Sequence, residues 1–463
     1  MKKIVKQLLL LIIVIVIGCK NDTAIKTEKD EDSKKAKAVL RSSVEDRISF
    51  PDFGFMISPQ KYHGRVFRLS DTYPKKEPAM DDGVKHILSI DFKTDWKKYM
   101  SAVRDYVFEG NASKNYENSF FLEDNKVRSW YHVPWQHWGP QGREGFHGLT
   151  QEGPVGPKML APTQSSSTHA YAVGFYNDLG GYGIGRVWST DVPNYSFLNF
   201  TGFPEGTVVA KVLYVPLESE EVPYLTNPIS WNAYIYKSDV PGASQPKDPS
   251  ERVQHKVNLI QMDIMVKDQR AKSTGGWVFG TFVYQGELNN DNRWENLMPV
   301  GIMWGNDPNY TMSNYNPTPT KTVINHDLKE TIINDSPKMP AMHLGFSSRL
   351  NGPVDNAYSS CMSCHSTAQY PVVTGILPQF NQPNPVKIPA VGTDASRAWM
   401  RWFRNVDCGT PFDPGQAVSM DYSLQLVKSI ENYIDYASQT QKGLFYEEYW
   451  SDDKIRRNMI VLK

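Results

Sequence analysis

Cys361-Met362-Ser363-Cys364-His365 sets two thiols three positions apart, with an imidazole directly after the second. Thiols at that spacing can reach the two vinyl groups of one porphyrin and form thioethers, and the adjoining imidazole then meets the iron. C-x-x-C-H is the attachment pattern of c-type haem. The expectation is one covalent haem on Cys361 and Cys364, with His365 as an axial ligand of the iron. Two other chemistries share part of the pattern. A thioredoxin-like redox pair needs a βαβ setting, which the flanking sequence lacks. A zinc site needs further cysteines or a spaced histidine pair, and only His343 lies near in sequence.

Haem attachment of this kind belongs to an exported protein, and the amino terminus reads as an export signal. Lys2, Lys3 and Lys6 precede an apolar run from Leu8 to Ile17. Ten residues make about 15 Å of helix, half of the roughly 30 Å hydrocarbon layer, so the run suits a signal peptide better than a span. It ends in Val16-Ile17-Gly18-Cys19, which resembles the lipobox of bacterial lipoproteins. That resemblance implies cleavage before Cys19, acylation of its sulfur and new amino group, and attachment to the membrane through the lipid. Lys20, rather than Asp, at the next position implies the outer membrane, with the body periplasmic or surface-exposed.

The expected order is signal peptide 1–18, lipidated tether 19–48, a β-rich domain 49–305, a connection 306–340 rich in Asn, Pro and Thr, and a haem c-binding region 341–463. Lys20 to Arg47 is dominated by Lys, Asp and Glu and has no aromatic residue, which suits a solvated tether. The fold class expected is mainly β in the amino-terminal and central domain, as a sandwich or twisted antiparallel sheet, with a smaller helical carboxy-terminal haem region, α+β overall. Strands are expected at Ala170–Tyr176, Thr207–Tyr214, Val257–Val266 and Gly276–Tyr284, from aromatic and β-branched runs broken by Gly, Pro and Asn. Helical spacing predicts a helix over Thr94–Phe108, one after Asp394 carrying Trp399, Met400, Trp402, Phe403 and Val406, and one over Asp421–Ala437.

The 463 residues carry 50 basic and 50 acidic side chains. Loss of the signal peptide would remove three of the 50 basic ones, leaving 47 against 50. A balance this even, with no basic stripe, argues against nucleic acid as a partner. With Cys19 lipidated and Cys361 and Cys364 in thioethers, Cys408 has no intramolecular partner, and a buried free thiol is expected there.

The sixth iron position separates electron transfer from catalysis, because a protein ligand closes it and an open one admits substrates. Small soluble cytochromes c place a distal methionine several tens of residues after the motif and before a last helix. Met420, followed by the expected Asp421 helix, is similar in order; that resemblance makes it a candidate second axial ligand, with core filling as the alternative. A second resemblance rests on Phe203-Pro204-Glu205-Gly206-Thr207-Val208-Val209-Ala210-Lys211, then Gly276-Trp277-Val278-Phe279-Gly280-Thr281-Phe282, then the haem motif. This order is similar to the β-rich, hydroxylamine-oxidising mono-haem cytochromes c. It implies an open distal site and a lysine cross-linked to the porphyrin, for which Lys211 is the candidate; a strand lysine would otherwise face water.

Other groupings are weaker. Trp130 to Trp138, with Arg143, Glu144 and His147, is dense in aromatic rings and histidine, and reads as a Trp-packed loop or a ligand pocket. Gly181-Tyr182-Gly183-Ile184-Gly185 lacks the context of a phosphate loop and reads as turn glycines between strands. The functional expectation is a lipid-anchored c-type cytochrome passing single electrons to a redox partner protein. The alternatives are an open-site haem oxidoreductase acting on a small nitrogen compound or peroxide, and a ligand-binding lipoprotein with an accessory haem.

Overall fold

The computed structural model describes residues 62–137, 139, 141–189, 193–194, 200–236, 252–306, 329–377 and 398–442. The signal peptide, Cys19, the tether, Asp394 and most of the connection lie outside the described residues.

Eight strands make one antiparallel sheet: β1 (Thr150–Val155), β2 (Thr168–Tyr176), β3 (Val208–Val215), β4 (Ser230–Tyr236), β5 (Arg252–Lys267), β6 (Trp277–Tyr284), β7 (Leu297–Met303) and β8 (Thr331–Ile333). Their order is β1-β2-β3-β5-β6-β7-β8, with β4 also paired to β5. The chain is thus mainly β with some helices. Among the described residues, one large sheet and a separate two-stranded ribbon of Gln369–Tyr370 and Val418–Ser419 stand where a two-sheet sandwich was the other option. β8 lies within the expected connection and adds an edge strand to β7.

β5 is 16 residues long and organises the rest. Its first half pairs with β4, and its second half with β3 on one side and β6 on the other. Because side chains alternate along a strand, consecutive residues face opposite sides. Phe175, Ala210, Ile264, Gly280 and Ile302 are register partners across five strands. Gly280 opens this face to a helix, since a Cβ there would lie 2.4 Å from Met100 Sδ. Met100 belongs to α2 (Trp96–Phe108), which buries Tyr99, Val103, Tyr106 and Val107 beside it. α1 (Asp82–Ser89), for which no helix was expected, starts where the Asp81 carboxylate accepts the Val84 N–H at 2.8 Å.

The neighbouring row, on the other face, is Gly174, Lys211, Asp263, Thr281 and Gly301. Carboxy-terminal chain covers this face. A Cβ at Gly174 would meet Gln425, the Tyr176 hydroxyl lies 2.9 Å from Ser423 Oγ, and Gln261 bonds to Asp355.

Three expectations need correction. Gly181, Gly183 and Gly185 sit inside a helix, α3 (Asp178–Val187), and not in a turn. Asn177 caps it, and the glycines admit Tyr131, Phe203 and Tyr73, whose ring or Cβ atoms would lie within 2.6 Å of an added Cβ. Past Trp399 and Met400 the chain tightens into a single turn, Arg401–Phe403, and is extended at Arg404, so Val406 lies beyond any helix. The last helix among the described residues, α5, runs Leu424–Lys442, later than expected, because Asp421 and Tyr422 take left-handed backbone angles (φ 47° and 67°).

Candidate haem-attachment site

Helix α4 (Cys361–His365) is five residues long and needs its caps. The Ser360 hydroxyl accepts the Ser363 N–H at 3.1 Å, and the Ser363 hydroxyl accepts the Ser360 N–H at 2.8 Å. This reciprocal box satisfies donors that a one-turn helix would otherwise leave unpaired. The Cys361 N–H is taken by the Leu350 carbonyl at 3.1 Å. Met362 and Ser363 are buried, while Cys361, Cys364 and His365 keep part of their surface on the exposed side of the turn.

His365 Nδ1 lies 2.8 Å from the Tyr422 carbonyl oxygen. A carbonyl can only accept, so Nδ1 carries the proton and Nε2 keeps its lone pair. Metal-ligating histidines are oriented in this way, by a hydrogen bond on the nitrogen that does not bind. Burial keeps the imidazole neutral, pushing its pKa down to about 4, although the bond to Tyr422 works against the shift. Phe279 supports the ring, with centroids 5.1 Å apart. Both cysteines are free thiols, and burial raises the pKa of each, that of Cys364 to about 11.

Beside the thiols runs the polar row of the sheet. Thr281 Oγ1 is 3.7 Å from Cys361 Sγ and donates to Asp263 at 2.9 Å. Gln261 Nε2 links the two carboxylates of Asp263 and Asp355, at 2.9 and 2.8 Å. Burial raises the pKa of both acids, and their mutual repulsion raises that of Asp263 further. Lys211 forms a 3.1 Å ion pair with Glu152. Burial opposes its charge, but Glu152, Asp263 and Asp355 outweigh that and lift its pKa. Its field reaches Cys364 and His365. Lys211 therefore does not simply face water: its side chain is 31% exposed, on the face that bears the haem motif. Asp263, Asp355 and Gln261 belong to no motif in the sequence, and Thr281 stands there only as part of the Gly276–Phe282 run. The readable signal was a single ionisable residue inside an apolar run, Lys211 in β3 and Asp263 in the Val257–Val266 stretch of β5.

Met420 is fully buried, and its N–H bonds to the Ala368 carbonyl at 2.9 Å. It stands two residues before Tyr422, in the turn that holds the Nδ1 side of His365. Cys408 is half-buried rather than buried: its sulfur accepts a bond from Lys267 Nζ at 3.1 Å and lines a cleft of about 540 Å³ with Arg270, Lys272 and Asp407.

The described residues between Trp130 and His147 form a packed loop; Trp138 lies outside the described residues. Trp130, His132, Trp135, His137, Arg143, Glu144 and His147 are all buried. His147 stacks on Trp231 with centroids 4.4 Å apart, and Glu144 accepts the N–H groups of Phe146, His147, Leu149 and Tyr234. Among the described residues, no group of three or more His, Cys, Asp and Glu is placed to hold a metal ion, and no helix is long and apolar enough to cross a membrane. A porphyrin supplies the iron's four equatorial nitrogens, so a haem needs no such cluster.

Compared with family models, curated proteins and solved structures, the chain matches none.

Proposed function

We propose that this chain is a c-type cytochrome of the exported, lipid-anchored kind, carrying one haem on Cys361 and Cys364 with His365 on the iron. The observation that carries the reading is the Nδ1–H of His365 donating to the Tyr422 carbonyl at 2.8 Å. It leaves Nε2 as a free ligand atom next to two thiols that no disulfide occupies. These residues fit the group: the thiols would form the thioethers and Nε2 would bind the iron. A bound haem supplies one-electron chemistry. The protein's own part is to hold His365 neutral and oriented, and to set polar groups at the thiol side. The role is single-electron transfer to a partner protein, on the periplasmic or outer face of an outer membrane to which Cys19 would tether it.

A second reading, an open-site oxidoreductase for a small nitrogen compound or peroxide, is favoured by two observations. Lys211, Asp263 and Asp355 set protonatable groups beside the attachment cysteines. Met420 is fully buried in the turn that holds the Nδ1 side of His365, whereas Nε2 is the nitrogen that would hold the iron. The spectrum of the reduced protein with carbon monoxide separates the two. Rapid binding supports the open site. A methionine–iron band in the oxidised protein that Met420→Ala abolishes supports closed electron transfer.

A further inference from the structure

Two adjacent non-glycine residues in the left-handed region, Asp421 and Tyr422, are an unfavourable way to begin a helix. Something outside the turn must hold them. The Asp421 carboxylate accepts from Lys267 Nζ on both oxygens, at 2.7 and 2.8 Å. It takes a third from Trp277 Nε1 at 3.1 Å and a fourth from the Phe203 N–H at 2.8 Å. The Lys267 and Asp421 side chains are 3% and 1% exposed, so the pair is sealed from water. Gly202, at φ +102°, makes room: an added Cβ would lie 2.8 Å from Asp421 Oδ2. Tyr422 is pinned from its other end, its hydroxyl donating to the Val406 carbonyl at 2.7 Å. The carbonyl between these anchors is the one that accepts from His365 Nδ1.

Lys267 ends β5 and its register partner Trp277 begins β6, so the end of two neighbouring strands of the sheet is tied to the imidazole through one carboxylate. We propose that Lys267, Asp421 and Trp277 are positioning residues for His365, fixing the Tyr422 carbonyl that orients and polarises the haem ligand. This rests on the haem reading given above. A firm Nδ1–H bond makes the imidazole a more basic ligand, which favours ferric over ferrous iron. Releasing the carbonyl therefore raises the reduction potential.

Charge alone predicts something different. Removing the Asp421 carboxylate near the iron would raise the potential, and removing the Lys267 ammonium would lower it. Positioning predicts a rise from both, since either change frees the turn.

The test is a redox titration of the exported, full-length holoprotein and of Asp421→Asn, Lys267→Met, Lys267→Arg and Trp277→Phe. The ferrous state's His365 Nδ1–H resonance is followed in parallel. Asp421→Asn and Lys267→Met should each shift the ferric-to-ferrous ratio about tenfold toward ferrous, a rise of about 59 mV for one electron, and the Nδ1–H should exchange faster. Lys267→Arg should restore most of the native value. Trp277→Phe, which removes a single N–H and leaves the ion pair, should move the potential less and in the same direction; it keeps the test alive if the charge variants fail to fold. Opposite signs for Asp421→Asn and Lys267→Met, or unshifted potentials with an unchanged Nδ1–H, would overturn the proposal. A wild-type protein without haem would instead refute the haem reading itself, before any variant is made.

Discussion

The two faces of the central sheet are built from neighbouring residues and do opposite work. On one, Phe175, Ala210, Ile264, Gly280 and Ile302 form an apolar row against Met100 and its helix. One step along each strand, Gly174, Lys211, Asp263, Thr281 and Gly301 form a polar row under the haem motif. Polar groups cost free energy to bury unless they are paired. The first face packs for stability, whereas the second gathers two partly buried acids and a lysine beside the Cys361–His365 turn. Changes on one face should disturb the haem and changes on the other should disturb the fold.

The largest effect belongs to the haem face. Cys361→Ala with Cys364→Ala should abolish haem that survives denaturing electrophoresis, read by haem staining. On the helix face, Met100→Ala should cost about 2–5 kcal/mol in urea unfolding while leaving the visible spectrum in place. A spectral change as large as that of the cysteine variant would erase the distinction between the faces.

Acid should unfold the protein through its packed loop. Burial pushes the pKa of His147 down to about 3 and that of His132 well below its ordinary value. A histidine held below its unfolded pKa stabilises the fold fully above about 6.5, and that contribution is lost as pH falls toward the folded value. For His147 alone the loss between pH 6.5 and pH 5 is about 2 kcal/mol. His147→Gln should flatten that stretch of the stability profile, measured by denaturant titration at each pH.

Asp263 carries the opposite sign. Its pKa is raised by burial and by Asp355, so the fold loses stability as pH rises from the unfolded carboxyl value through the folded one. Asp263→Asn should reduce that loss, with a change in the haem spectrum that no helix-face variant shows. The smallest effect should come from Arg65, 44% exposed and paired with Glu123 and Asp124. Arg65→Ala should change stability by no more than about 1 kcal/mol and leave the haem unaltered.

β2, β3, β5 and β6 were legible because their apolar runs are long and bounded by turn residues, whereas β1, β4, β7 and β8 were not read as strands; Val257–Val266 lies inside a longer β5, whose outer end pairs with β4 through less apolar residues. The motif Cys361-Met362-Ser363-Cys364-His365 was legible because its chemistry is local. What surrounds it was not. The line from Lys211 through Asp263 to Thr281 exists only once the register of three strands is fixed, and no single segment encodes register. The Asp421–Tyr422 turn read as the start of a helix because its side chains continue the spacing of α5. Partners far away in sequence, Lys267, Trp277 and the Phe203 N–H on Asp421 and the Val406 carbonyl on Tyr422, hold it otherwise. The glycines of α3 read as breakers, although close ring packing makes them acceptable within a helix.

The most direct test of the central claim is the mass and alkaline pyridine haemochrome spectrum of the mature protein, purified from a host that attaches haem on export. One covalent haem per chain, with the c-type spectrum and lost on replacing Cys361 and Cys364, is the result expected. A colourless chain whose mass is that of polypeptide and lipid alone would contradict it.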